Sequence, residues 1–298
     1  MNSSMNGWLN IYKPKGISSA KAVSLVKRIF RGAKIGHTGT LDVEAEGVLP
    51  IAIGEATKLV SILIDAKKEY EFTIRFGAKT DTADSSGKII EKADYIPRED
   101  ECILVCHKFI GDVEQIPPSY SALKVNGRRA YHLARKGESF SLNSRIIKIY
   151  DLKCTSYNKA QATASYSCLC SKGTYIRTLA EDISLSLQSL GFVIELRRKK
   201  VGMFYAKNAL DISSYLDMNL EEASKLLKGK CLKIEDVLDD IPVLEADDTQ
   251  TKKIRFGQEC QFDKDQSYDL VWVRNSSSIV AIGSLRDKNF KSSRVFNL

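Results

Sequence analysis

EYEFTIRF (Glu69 to Phe76) alternates without a break: Tyr70, Phe72, Ile74 and Phe76 fall on one face, and Glu69, Glu71, Thr73 and Arg75 on the other. A period of two turns successive side chains to opposite faces of a sheet, so the segment reads as a half-buried β-strand. IIKIYDLK (Ile146 to Lys153) and QATASYSCLC (Gln161 to Cys170) share the pattern, and the Asn158 turn between them predicts an antiparallel pair. Elsewhere the spacing is helical. Val23, Val26, Ile29 and Phe30 follow the capping residues Ser18 and Ser19 and stop at Gly32. Ile176, Leu179, Ala180, Ile183, Leu187 and Leu190 make a second apolar stripe, for which Gly191 is the expected stop. A helix is expected after Pro97, a short buried element at VLPIAIG (Val48 to Gly54), and a strand with a basic end at ELRRKKVG (Glu195 to Gly202).

Length and charge bound what such a chain can be. With 298 residues it has room for a large domain and a small one. Its formal charge of +8 favours an anionic partner without demanding one. From Asp240 to Leu298 nine Lys or Arg balance nine Asp or Glu, so the whole excess lies upstream. A composition shift near Asp239 to Pro242 therefore divides residues 1–238 from a small β domain at 242–298, whose strands YDLVWV (Tyr268 to Val273) and SIVAIGSL (Ser278 to Leu285) meet at an Asn275 turn. Seven scattered cysteines without CxxC spacing argue against a disulfide framework or a zinc site and for reduced thiols in a cytoplasm. The N-terminal MNSSMNGWLNIYKPKG lacks a signal-peptide core, and no run of about twenty apolar residues occurs, so no membrane span is expected.

The chemistry is narrowed by what is missing. Three histidines (His37, His107, His132) have no serine or cysteine elbow to serve, and neither the GxxxxGK[ST] nor the GxGxxG phosphate loop is present. Neither ATP nor NAD is implied. What remains is Asp42, closing the glycine-punctuated loop GHTGTLD (Gly36 to Asp42). An ionised, immobilised carboxylate can act as a nucleophile toward a sugar or an activated ring carbon; a loop aspartate also commonly just satisfies backbone donors. Cationic segments surround it. The helix after Ser19 carries Lys21, Lys27, Arg28 and Arg31 with no acid between Lys21 and Lys34. From Ser121 to Lys148 seven Lys or Arg face one acid, Glu138, with Tyr120, Tyr131 and His132 interleaved. That segment reads as a mobile arm gripping RNA, or else as a solvated surface hairpin.

Taken together the segments resemble the TruB family of tRNA pseudouridine synthases, which isomerise the uridine at position 55 in the T loop. The resemblance is carried in order by KPKGISS (Lys13 to Ser19), GHTGTLD with GVLPIAIGEATK (Gly47 to Lys58), KEYEF (Lys68 to Phe72), GAKTDTADSSG (Gly77 to Gly87), QIPPSYSALKVNG (Gln115 to Gly127), CSKGTYIRT (Cys170 to Thr178) and LRR (Leu196 to Arg198). It implies an α+β fold, a mixed, largely antiparallel sheet flanked by helices, with a small PUA-like β domain at the C-terminus. The basic arm at about 117–145 corresponds to an insertion that closes over the T arm.

Site roles follow from the same resemblance. Asp42 matches the catalytic aspartate, which lets uracil detach, rotate and rejoin the ribose through its C5 carbon; whether it attacks the ribose or the ring is left open. Arg177 matches its arginine partner. Tyr70 matches the tyrosine that stacks on the flipped uracil and is a candidate for the late proton abstraction; Tyr175 and Leu196 match pocket-lining residues. His37 matches the histidine that fills the space of the extruded base, where a wedge offsets part of the cost of unstacking. Lys13, with Pro14, matches a motif that shapes the pocket. No metal and no cofactor is implied, and the partner implied is the T arm of tRNA, bound by a monomer. Other expectations stay open: a pseudouridine synthase for another RNA, such as ribosomal RNA, or a tRNA-binding and folding protein. Where the family usually has Pro, Leu, Ala, Thr and Gly after the aspartate, this chain has Val43, Glu44, Ala45, Glu46 and Gly47. Carboxylates turned inward would raise the pKa of Asp42 and repel phosphate, so Glu44 and Glu46 are expected to face solvent. Phe192 replaces a commonly polar position.

Overall fold

The computed structural model describes residues 5–276 and 278–298. Residues 1–4 of the N-terminal segment and residue 277 of the Asn275 turn lie outside them. The strand Lys68–Phe76 sits mid-sheet, with Gly191–Val201 and Thr163–Cys170 antiparallel on its two sides. Its alternation is kept on the apolar side; Thr73 on the other face is also buried, bonded to Ser165 and Glu195. Beyond Thr163–Cys170 come Arg145–Asn158 and the edge strand Gly111–Gln115. On the other flank Glu46–Ile53 runs parallel to Gly191–Val201 and antiparallel to Gly7–Lys13.

One face of this sheet packs on the helix Ile176–Ser186, through Ile176, Leu179, Ala180 and Ile183 against Phe72, Ile74 and Tyr166. Gly191 is not that helix's stop. The helix ends at Ser186, Gln188 takes the left-handed turn with φ 54°, and Gly191 opens the next strand. Glycine is needed there for close approach, because a Cβ would lie 2.3 Å from Ser184 Oγ and 2.7 Å from Ile74 Cγ2. At the far end the helix Ser19–Ile29, capped by Ser18 Oγ, buries Ala22, Leu25, Val26 and Ile29 beside the helix Leu220–Lys228. The helix expected after Pro97 forms as Glu99–Leu104.

In the basic arm, Lys124–Val125 and Arg128–Arg129 pair across Asn126 and Gly127, both at positive φ as a two-residue hairpin turn requires. A second, five-stranded sheet from Val243 to Val295 forms the C-terminal β domain, with the helix Asp248–Arg255 beside it. Trp272, Ile279, Ile282 and Phe296 of that domain pack with Trp8, Val48, Leu59 and Phe204 of the first. Phe296 is fully buried, which contributes about 1.5–3 kcal/mol. Among the described residues no helix is long and apolar enough to cross a membrane.

Candidate active site

Asp42 lies between the strand Ile35–His37 and the buried strand Glu46–Ile53, in a loop fastened from both sides. Ser19 Oγ donates to Leu41 O at 2.9 Å and accepts from Leu41 N at 2.8 Å, and Gly16 N–H donates to Val43 O at 2.8 Å. Fully buried Lys13 sends its ammonium to Pro14 O (3.0 Å), Ile17 O (2.7 Å) and Ala45 O (2.5 Å). Burial lowers this amine to about 8, against the opposing pull of Asp42, Glu44 and Glu46. From the opposite side Arg198, 2% exposed, donates to Val48 O (2.8 Å) and Gly39 O (3.0 Å). Gly47, at φ +114°, lets the backbones meet: a Cβ there would sit 2.2 Å from Arg198 O. Lys13 thus clamps the loop through Ala45 from a buried position.

None of these bonds uses the Asp42 carboxylate, which is 40% exposed and serves no backbone donor among the described residues. Its partner is Arg177, whose Nε stands 2.8 Å from Oδ2 with a side chain only 5% exposed. The N–H does not point along that line, so the contact is an ion pair and not a straight hydrogen bond. Arg177 is aimed by its other nitrogens, Nη1 on Thr82 O and Nη2 on Tyr120 O, both at 2.9 Å. Asp84 Oδ2 lies 3.9 Å from Nε, while its Oδ1 accepts from Thr82 Oγ1, Ser86 N and Ser86 Oγ. Gln115, buried, holds the start of the Arg177 helix by bonding both N and O of Tyr175.

Asp42, Glu44, Asp84, Arg177, Val193 and Leu196 line one small cleft. Tyr70 projects from the central strand into the same core as Leu41, Ala45 and Leu196, opposite Arg198 in the sheet register. Burial pushes its phenol up, with the Asp42 charge adding to it, while the Arg198 charge pulls the other way. The ring is therefore a neutral phenol, and it can accept a proton only after giving up its own, the step that the neighbouring guanidinium favours. Tyr175 is not in the cleft lining; its ring lies 4.7 Å from the Arg145 guanidinium. His37 pairs with Ile51, and its Nδ1 accepts from Gly39 N–H at 3.2 Å. Burial, then Arg198, lowers its pKa, leaving a neutral ring.

Glu44 and Glu46 do not simply face solvent. Glu44 lines the cleft and pairs with Lys15 at 3.3 Å. Glu46, placed beside Arg197 by the parallel register, pairs with it at 3.7 Å and lies near the Tyr12 phenol. Burial, then Glu46, pushes that phenol up to about 12. Phe192 is buried in its strand opposite Arg75. Sequence reasoning missed Asp84 and Arg198 as site residues; both stood inside quoted motifs, but only strand pairing shows whom they face.

A likeness to solved structures gives the architecture: a chain of a Cbf5-Nop10-Gar1 complex superposes with a TM-score of 0.72 at 23% identity, over 98% of this chain and 84% of that one. The fold is that of the pseudouridine synthases, with a C-terminal β domain. Residues 27–176 match the family described as "TruB family pseudouridylate synthase (N terminal domain)". The tRNA pseudouridine synthase B of Rickettsia bellii (strain OSU 85-389) is 59% identical over 292 residues, 98% of each chain. That of Rickettsia akari (strain Hartford) is 57% identical over 295 residues, 98% of this chain and 99% of the relative. The chain belongs to the TruB family of pseudouridine synthases.

Proposed function

We propose that this protein isomerises uridine 55 in the T loop of tRNA to pseudouridine, working in the cytoplasm as a monomer and without metal or cofactor. The observation that carries the reading is the ion pair between half-exposed Asp42 and buried Arg177, in a loop whose backbone needs neither. Asp42 is the nucleophile: its carboxylate engages the flipped nucleotide, the glycosidic bond breaks, and uracil turns and rejoins through C5. Arg177 keeps the carboxylate ionised and fixes its rotamer. Asp84 positions Arg177. Tyr70 stacks on uracil; after its own proton passes to solvent, the phenolate, stabilised by Arg198, takes the C5 proton. Leu196 bounds the pocket, Tyr175 and Lys13 hold its frame, and His37 fills the gap left in the T loop. The step balances without an oxidant or reductant: the C1′–N1 bond breaks, a C1′–C5 bond forms, the C5 proton leaves, N1 gains a proton, and the Asp42 carboxylate is released unchanged.

The test uses tRNA carrying tritium at uracil C5, because the proton at that carbon is lost on isomerisation. Release from unmodified tRNA, abolished when position 55 is cytidine, is the expected result. Release that persists from the cytidine-substituted tRNA would place the target elsewhere.

A further inference from the structure

The segment Lys13 to Ser19 is bonded to the loop Leu41 to Ala45 along its length by buried or backbone groups. One contact between them is different. Lys15 and Glu44 meet at 3.3 Å with side chains 51% and 33% exposed, on a loop already held without them. An exposed ion pair adds little stability, so this one is not there to hold the loop. Its two members have separate addresses. Glu44 lines the cleft that holds Asp42 and Arg177. Lys15 begins a run of cations continued by Lys21, Lys27, Arg28, Arg31 and Lys34, and among the described residues Lys15 alone of these six has a carboxylate within 4 Å. A basic run of this kind suits a phosphate-facing surface.

We propose that Lys15 is a phosphate-binding residue at the rim of the uridine pocket and that Glu44 is its resident counter-ion, displaced when the RNA backbone of the flipped nucleotide takes its place. The inference rests on the proposed function, since it needs an RNA strand at this rim. Glu44 then stands in for phosphate in the free protein: it holds the Lys15 ammonium beside a cleft-lining residue and sets a cost on any RNA that delivers no phosphate there.

The experiment is a double-mutant cycle on the full chain, read as binding of product T-arm RNA, which carries pseudouridine at the target position and is not turned over. Glu44→Gln removes the competitor and is expected to tighten binding about threefold to tenfold. Lys15→Gln is expected to weaken it and to flatten the dependence of log K on log salt by about one phosphate's share, roughly 0.7–0.9. The double variant is expected to match Lys15→Gln within twofold, because the gain from Glu44→Gln requires Lys15. Lys15→Arg, which keeps the charge, is expected to retain the native salt slope. A Glu44→Gln gain that persists without Lys15 overturns the exchange and leaves plain repulsion; no gain at all overturns it too. Native protein that binds this RNA but releases no tritium from unmodified tRNA overturns the proposed function while leaving the cycle readable.

Discussion

Arg177 Nε stands 2.8 Å from Asp42 Oδ2, yet the arginine is almost wholly buried and the aspartate is open to the cleft. A buried cation with two of its nitrogens on carbonyl oxygens is fixed in place, and the exposed carboxylate borrows that rigidity. Arg177→Lys keeps the charge and loses the fork. We expect kcat to fall about a hundredfold, as for a misplacement on the scale of an ångström, with RNA affinity within threefold. Single-turnover rates and filter binding separate the two; a loss confined to affinity would contradict the pairing.

Tyr70→Phe removes one hydroxyl from a packed site and leaves the ring. The hydroxyl sits in a buried core opposite Arg198, so removing it should change stability by about 1 kcal/mol at most. The rate should drop by roughly 10²–10⁴-fold, the share of a positioned proton acceptor. Denaturant titration and tritium release on the same preparation check both, and an active phenylalanine variant excludes Tyr70 as the base.

Gly47→Ala tests the close approach that carries the Asp42 loop. At φ +114° with Arg198 O at 2.2 Å from the new Cβ, the substitution should cost on the order of 2–3 kcal/mol and depress turnover as the loop shifts. Equilibrium unfolding measures it. A cost near zero would mean the loop does not depend on Arg198.

Lys13 sets a pH dependence. Its folded value of about 8 lies below the ordinary 10.5, so from pH 8 upward the unfolded chain holds more protons at this site. Stability linked to Lys13 is therefore gained as pH rises and is lost as pH falls back through 8. Lys68, lowered by burial to about 8, adds a like slope, and above about pH 10 the raised tyrosines Tyr12 and Tyr70 oppose it. Unfolding free energies at pH 7.5, 8.5 and 9.5 should show a smaller rise for Lys13→Met than for the native chain. An identical slope would remove Lys13 from the balance.

Much of this was legible from periodicity. Tyr70, Phe72 and Ile74 share a face because a strand alternates, and Ser18 caps because a hydroxyl meets free N–H groups; both are local rules, and both hold. Gly191 failed because its reason is not local: the side chain of Ser184 and the strand of Ile74 crowd it from across the fold. Glu44 and Glu46 are partly solvent-exposed, at 33% and 39%, as expected, but each also has a cationic partner that the sequence did not show. Their partners, Lys15 and Arg197, come from a segment 29 residues earlier and a strand about 150 residues later, and only the sheet register brings them together. Arg198 and Asp84 were written in plain sight, but a buried arginine looks like a surface one until its carbonyl acceptors are seen.

The central claim is that the Asp42 carboxylate does the chemistry. Asn keeps its size and removes its charge, and the loop's own bonds are untouched by the change. With C5-tritiated tRNA, Asp42→Asn should bind like the native protein and release no label above background in single turnover. Release at the native rate would contradict the account.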